Sequence, residues 1–82
     1  MMTNVHKLMS NDTPFEELLS ANIRMIMGIR GYNIADLIKK SKISRPTIAN
    51  LLNNRSKGVQ FFTIKSIAKA LEVQPFELFQ IR

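Results

Sequence analysis

Ser44-Arg45-Pro46-Thr47-Ile48-Ala49-Asn50-Leu51-Leu52 reads as a short two-faced helix around which the other segments arrange. Ser44 is a favourable N-cap, because its hydroxyl accepts a bond from a first-turn amide that has no partner within the helix. Pro46 is tolerated just inside that start, where no amide donor is yet needed. Ile48, Leu51 and Leu52 recur at i, i+3 and i+4 and form a stripe for burial, which leaves Arg45, Pro46, Ala49, Asn50 and Asn53 on the opposite side. An arginine at the mouth of a helix and an asparagine one to two turns on are the side chains that bond guanine and adenine edges in a major groove. On this segment alone, an ordinary solvated helix face remains the alternative.

Working back towards the N-terminus, Asn33 is placed to cap a preceding helix, with Asp36 three residues on in the manner of a capping box. Ile34, Leu37 and Ile38 supply that helix's apolar side, and Lys39, Lys40 and Lys42 gather at the negative end of its dipole. Ser41-Lys42-Ile43 is then a tight turn with Ile43 tucked inward. Two short helices, a turn of three to four residues and two apolar stripes make a helix-turn-helix, with Leu37, Ile38, Ile43, Ile48 and Leu51 as its inward set.

Earlier still, Thr13-Pro14-Phe15-Glu16 predicts a helix start, with Thr13 as cap, Pro14 at the first helical position, and Glu16 and Glu17 against the positive dipole end. That helix runs from about Pro14 to Arg30, buries Leu19, Ile23, Ile26 and Met27, and ends at Gly31. Gly28 costs it roughly 1 kcal/mol against alanine unless something packs closely there. Residues 1–13 show no sustained period and are expected to form a mobile arm ahead of a domain spanning 14–82. His6 in that arm has no second ligand nearby, so a solvated side chain is expected.

Beyond Leu52, Asn53-Asn54-Arg55-Ser56-Lys57-Gly58 is a polar loop, with Asn54 the expected left-handed cap. A helix over Phe61 to Leu71 buries Ile64, Ile67, Ala68 and Leu71; Val73 turns inward, and Pro75 opens a last short helix with Phe76, Leu78 and Phe79. No segment alternates with period two over strand length, so the fold class is all-α.

The chain has 82 residues, enough for one domain that buries only about 60 to 65% of the surface its unfolded form exposes. Its 45% hydrophobic and 22% charged residues are those of globular material. The longest apolar runs fall far short of the roughly 18 residues of a spanning helix, and the opening MMTNVHKLMSND lacks a signal-peptide core, so a cytoplasmic location is expected. With no cysteine, disulfides, thiolate chemistry and cysteine-bound zinc are excluded. The net charge of +6 is concentrated: from Leu18 to Leu71 the bases are Arg24, Arg30, Lys39, Lys40, Lys42, Arg45, Arg55, Lys57, Lys65 and Lys69, against Asp36 as the one acid. Such a basic centre attracts polyphosphate and binds it with an affinity that falls steeply with salt.

From Ile23 to Phe79 the chain resembles the lambda-repressor-like, Cro-type helix-turn-helix domains of bacteria and their phages. The residues that carry the resemblance are Gly31, Leu37, Ile43-Ser44-Arg45-Pro46-Thr47-Ile48, Leu51, Ile67-Ala68-Lys69-Ala70-Leu71 and Glu77-Leu78. The resemblance implies a five-helix domain whose third helix enters the major groove, while the start of the second helix and the loop after the third hold phosphates. Departures are visible. Ile34 stands where glutamine is usual, Ile38 where a small alanine is usual, and Lys42, Asn54 and Glu72 where glycine is common, which requires Lys42 to adopt a left-handed backbone. Met27 and Leu52 occupy places where many relatives join the first and third helices by an Arg and Glu pair, and here the contact is expected to be made by packing.

The resulting expectation is a sequence-specific double-stranded DNA-binding transcriptional regulator, a repressor of bacterial or phage origin. Its base contacts would be Arg45, Pro46, Thr47, Ala49 and Asn50, and its phosphate contacts Asn33, Ser44, Asn53, Arg55 and Lys57. One such domain spans few base pairs, so a homodimer on a palindromic operator is expected. Either Phe62 or the group Phe76, Phe79 and Ile81 would form its seam, unless Phe76 and Phe79 simply complete a small core. The alternative is an antitoxin or anti-repressor in which the same scaffold binds protein. RNA binding lacks an aromatic platform. No enzyme, metal or cofactor is expected, since the carboxylates do not pair across the fold and the one histidine lies in the arm.

Overall fold

The computed structural model describes residues 13–55 and 58–82. The predicted arm, except for Thr13, together with His6 and Lys57, lies outside the described residues. Four α-helices follow one another: α1 (Phe15–Arg30), α2 (Ile34–Ser41), α3 (Arg45–Leu52) and α4 (Phe61–Leu71), then a 3-10 helix over Pro75–Phe79. No strand occurs among the described residues. The expected fifth helix is therefore a 3-10 turn. Its Pro75 sits in the first turn, and Gln74 and Glu77 form a reciprocal capping box across it; five residues are too few to need the wider α winding.

Helix starts and stops follow local chemistry. The Asn33 side chain accepts from the Asp36 amide at 2.8 Å while Asp36 Oδ2 accepts from the Asn33 amide at 2.9 Å. α1 begins one residue later than predicted: Pro14 is the cap, with ψ 147°, and Phe15 is the first helical residue. Gly31 (φ 72°), Asn54 (φ 58°) and Glu72 (φ 62°) are left-handed at the ends of α1, α3 and α4. Each is followed by an amide that reaches back to close the last turn, Tyr32 to Met27, Arg55 to Asn50 and Val73 to Ala68. Lys42 ends α2 in the same region at φ 63°, its amide bonded to the Ile38 carbonyl at 2.8 Å.

One core unites the helices. Leu37, Ile48, Ile67, Leu71 and Leu78 are wholly buried, and Leu19, Ile23, Ile26, Met27, Ile43, Leu51, Leu52 and Ile64 join them. Each such aliphatic side chain contributes about 1.5–3 kcal/mol by leaving water. Met27 and Leu52 are both inside this cluster, so packing stands in for the ion pair. Ile38 is not fully inward as predicted; it is half-buried and packs on the cluster's margin, as does Ile34. α1 packs against α3, α4 and the 3-10 helix, and α2 against α3 and α4.

Polar side chains of α1 finish the job. Asn22, wholly buried, donates to the carbonyls of Leu78 and Gln80 at 2.9 Å each and accepts from Arg82 Nε at 2.7 Å. No buried side-chain nitrogen or oxygen among the described residues lacks a partner.

Candidate nucleic-acid interface

The site begins with the cap of α3. Ser44 has an extended backbone (φ −65°, ψ 152°), its Oγ accepts from the Thr47 amide at 3.4 Å, and the same hydroxyl donates to Thr47 Oγ1 at 2.9 Å. Ser41 Oγ accepts from the Ile43 amide at 3.1 Å, which stiffens the turn that leads in. With Ile48, Leu51 and Leu52 fixed in the core, the helix cannot roll, and its other side must face outward.

That side carries what the sequence placed there. Arg45, Pro46 and Asn50 are exposed, and Thr47 and Ala49 are half-buried beside them. Thr47 is partly engaged already through Ser44. The residues expected to contact bases or phosphates split into two mixed groups around α3. Thr47, Asn50 and Arg55 share a cleft with Gln60 and Thr63 on the α4 side. Arg45 and Asn33 share a groove with Arg24 and Tyr32 on the α1–α2 side. Asn53 is exposed just past the helix, and Ser44 sits at its opposite end.

Arg24 and Ser20 were not singled out from the sequence. Ser20 Oγ and the Arg24 guanidinium all converge on the Leu52 carbonyl, at the end of α3. Gln60 and Thr63 were also missed, as side chains lining the cleft beside Asn50. No local pattern marks Arg24 and Ser20, because the carbonyl they serve is remote in the chain. Charge supports an anionic ligand on this side: Arg45 opens α3, Arg24 and Arg55 lie to either side of it, and α3 itself contains no acid.

A short helix anchored by aliphatic residues beneath, with an arginine and an asparagine outward and a capped turn before it, is the arrangement of a helix-turn-helix reader. The model of the Cro/C1-type HTH DNA-binding domain matches residues 22–82, and the chain belongs to that family. Among curated relatives it is similar to YozG, an uncharacterised HTH-type transcriptional regulator of Bacillus subtilis strain 168, at 28% identity over 61 residues, covering 74% of this chain and 73% of that one. Its fold is similar to the crystal structure of the hypothetical transcription factor NHTF from Neisseria, with a TM-score of 0.79 over 89% of this chain and 83% of that one; at 18% identity this likeness concerns the fold alone. No described helix is long and apolar enough to cross a membrane.

Proposed function

We propose that this DNA-binding domain, residues 14–82, is a sequence-specific regulator of transcription, a repressor of bacterial or phage origin that works in the cytoplasm. The observation that supports it best is the exposure of Arg45 and Asn50 on a helix whose opposite face is locked in the core. The chain's similarity to a Bacillus subtilis HTH-type transcriptional regulator agrees with it.

In this reading Arg45 bonds a guanine through its planar fork, and Asn50 bonds an adenine or a phosphate. Pro46, Thr47 and Ala49 touch thymine methyl groups or the sugar-phosphate edge. Asn33, Ser44, Asn53, Arg55 and Lys57 hold phosphates and set the register without choosing sequence. Selection of bound duplexes from a random pool, repeated at two salt concentrations, tests the reading. An enriched palindrome is the expected result. Arg45→Ala should then cost about 1–3 kcal/mol and relax preference at one base pair, whereas Arg55→Ala should weaken all sequences alike and lower the salt slope by about 1. Unchanged affinity and preference in Arg45→Ala would remove the assignment.

A homodimer on that palindrome completes the reading, with recognition helices roughly 34 Å apart. Phe62, 69% exposed at the start of α4 beside the 75% exposed Phe61, supports a seam there. Phe79 is half-buried in an edge-to-face contact with Phe15, ring centroids 5.6 Å apart, which favours its role in the fold. Sedimentation with and without DNA tests the pairing, and a monomer in both states defeats it. The same exposed phenylalanines favour the second reading, an antitoxin or anti-repressor module that binds protein. Failure to enrich any duplex, together with stable capture of a protein partner, would favour that module.

A further inference from the structure

The end of α3 opposite Arg45 is held from another helix. Four carbonyls in the last turn of an α-helix have no amide partner inside it. In α3 the following backbone serves three of them: Asn53 donates to Ala49 at 3.0 Å, Arg55 to Asn50 at 2.8 Å and Asn54 to Leu51 at 3.4 Å. The fourth, Leu52, is served by α1. Arg24 donates to it through Nη2 at 2.8 Å and Nε at 3.2 Å, and Ser20 Oγ donates at 3.2 Å. α3 has no basic residue in its own last turn, so the Arg24 guanidinium is the cation that answers the negative end of its dipole. A planar guanidinium bonded to one oxygen through two nitrogens restricts direction as well as distance.

We propose that Arg24 is a positioning residue for DNA reading, which sets where Asn50 falls over the base pairs by pinning the Leu52 end of α3 to α1. This rests on α3 being the reading helix. Asn50 is two residues from the pin, so a displacement at Leu52 passes almost wholly to its carboxamide. Arg45 lines the same groove as Arg24 but is seven residues from the pin, next to the Ser44 cap that sets its end of α3. Base-edge hydrogen bonds weaken steeply beyond about 3.2 Å, so a small drift at Asn50 changes which base is preferred.

The test compares the unaltered protein with Arg24→Ala and Arg24→Lys, at a temperature where circular dichroism shows each to be folded. Affinities are measured for the selected duplex, for its single-base variants and for an unrelated duplex, at two salt concentrations. Arg24→Ala is expected to lose roughly tenfold in discrimination at the base pair under Asn50, with less change under Arg45 and an unchanged salt slope. Arg24→Lys, which keeps the charge and donors on a single nitrogen but not the planar fork, should recover part of that loss. Uniform weakening with a slope lower by about 1 would make Arg24 a phosphate contact instead and overturn the proposal. Lower thermal stability with base preference intact would overturn it as well. If Arg24→Ala does not fold, Arg24→Gln, which retains a shorter uncharged donor, takes its place in the same comparison. A starting protein that selects no sequence brings down the reading of α3 and this proposal together, whereas a selective protein with an equally selective variant brings down this proposal alone.

Discussion

Arg30 grips Glu72 by two handles: its Nη2 donates to the Glu72 carbonyl at 3.2 Å, and its Nη1 stands 3.6 Å from the Glu72 carboxylate. Its Nε also donates to the Leu71 carbonyl at 3.0 Å, so the end of α4 is tied to the end of α1 much as the end of α3 is tied through Arg24. The grip lies on a residue whose backbone is left-handed, at φ 62°.

Glu72 and Lys42 share that backbone conformation but not their surroundings. Non-glycine residues bear a steric penalty there that glycine lacks. Lys42→Gly should therefore raise stability by about 0.5–1 kcal/mol. Glu72→Gly obtains the same relief but gives up a largely exposed ion pair worth under about 1 kcal/mol, so its net change should be close to zero. Urea unfolding of both variants checks the ordering. Destabilisation by Lys42→Gly would contradict the relief of strain at that turn.

Gly28 is an exposed position inside α1 where an added methyl group meets no heavy atom within 4 Å. Nothing therefore requires a glycine there for space, and its φ is not positive. Gly28→Ala should stabilise the domain by about 0.5–1 kcal/mol, visible as a raised thermal midpoint. A lowered midpoint would count against the open geometry beside α1.

Asn22→Ala should be among the most damaging changes available on α1. It strips donors from the carbonyls of Leu78 and Gln80 and an acceptor from Arg82, and it opens a hole at a wholly buried site. A loss of about 2–3 kcal/mol is expected from the unmet Leu78 carbonyl and the hole together, since Gln80 and Arg82 lie where water reaches them. Denaturant titration with an unchanged slope would measure it, and a loss below about 1 kcal/mol would be inconsistent with the observed clasp.

Asn33 offers a way to separate folding from binding. Its Oδ1 is engaged by the Asp36 amide and its backbone N–H by Asp36 Oδ2, which leaves the side-chain Nδ2 for the proposed phosphate contact. Asn33→Asp keeps the acceptor at the helix start, where negative charge is favourable, so stability should stay within about 0.5 kcal/mol. DNA affinity should fall for every sequence alike, since a carboxylate repels phosphate. Equal binding by the variant would remove Asn33 from the phosphate contacts.

The helix-turn-helix was legible because its signals are short-ranged. Asn33 with Asp36 and Ser44 with Thr47 act over three residues, and the apolar stripe of Ile48, Leu51 and Leu52 acts over one turn. The left-handed backbone at Asn54 was legible from asparagine's tolerance of positive φ, and that at Lys42 from the glycine usual at its place in the domains the chain resembles. Two local details were not resolved: whether α1 starts at Pro14 or Phe15, and whether five residues after Gln74 wind as α or 3-10. The larger omission concerns Ser20, Asn22, Arg24 and Arg30. On a helix with an apolar inner face, a polar residue at the margin looks solvated, and spacing cannot reveal a carbonyl dozens of residues away.

The clasp between Asn22 and the carbonyls of Leu78 and Gln80 closes loops 56 and 58 residues long. During synthesis at about 5–20 residues per second, some 3 to 12 s separate the appearance of its two halves. A nascent chain can wind α1 early, yet this closure must wait until the segment around Leu78 has left the ribosome. In the interval the Asn22 carboxamide is wet and the floor of the core is open, so a chaperone has its widest access to this domain before the turn around Leu78 emerges.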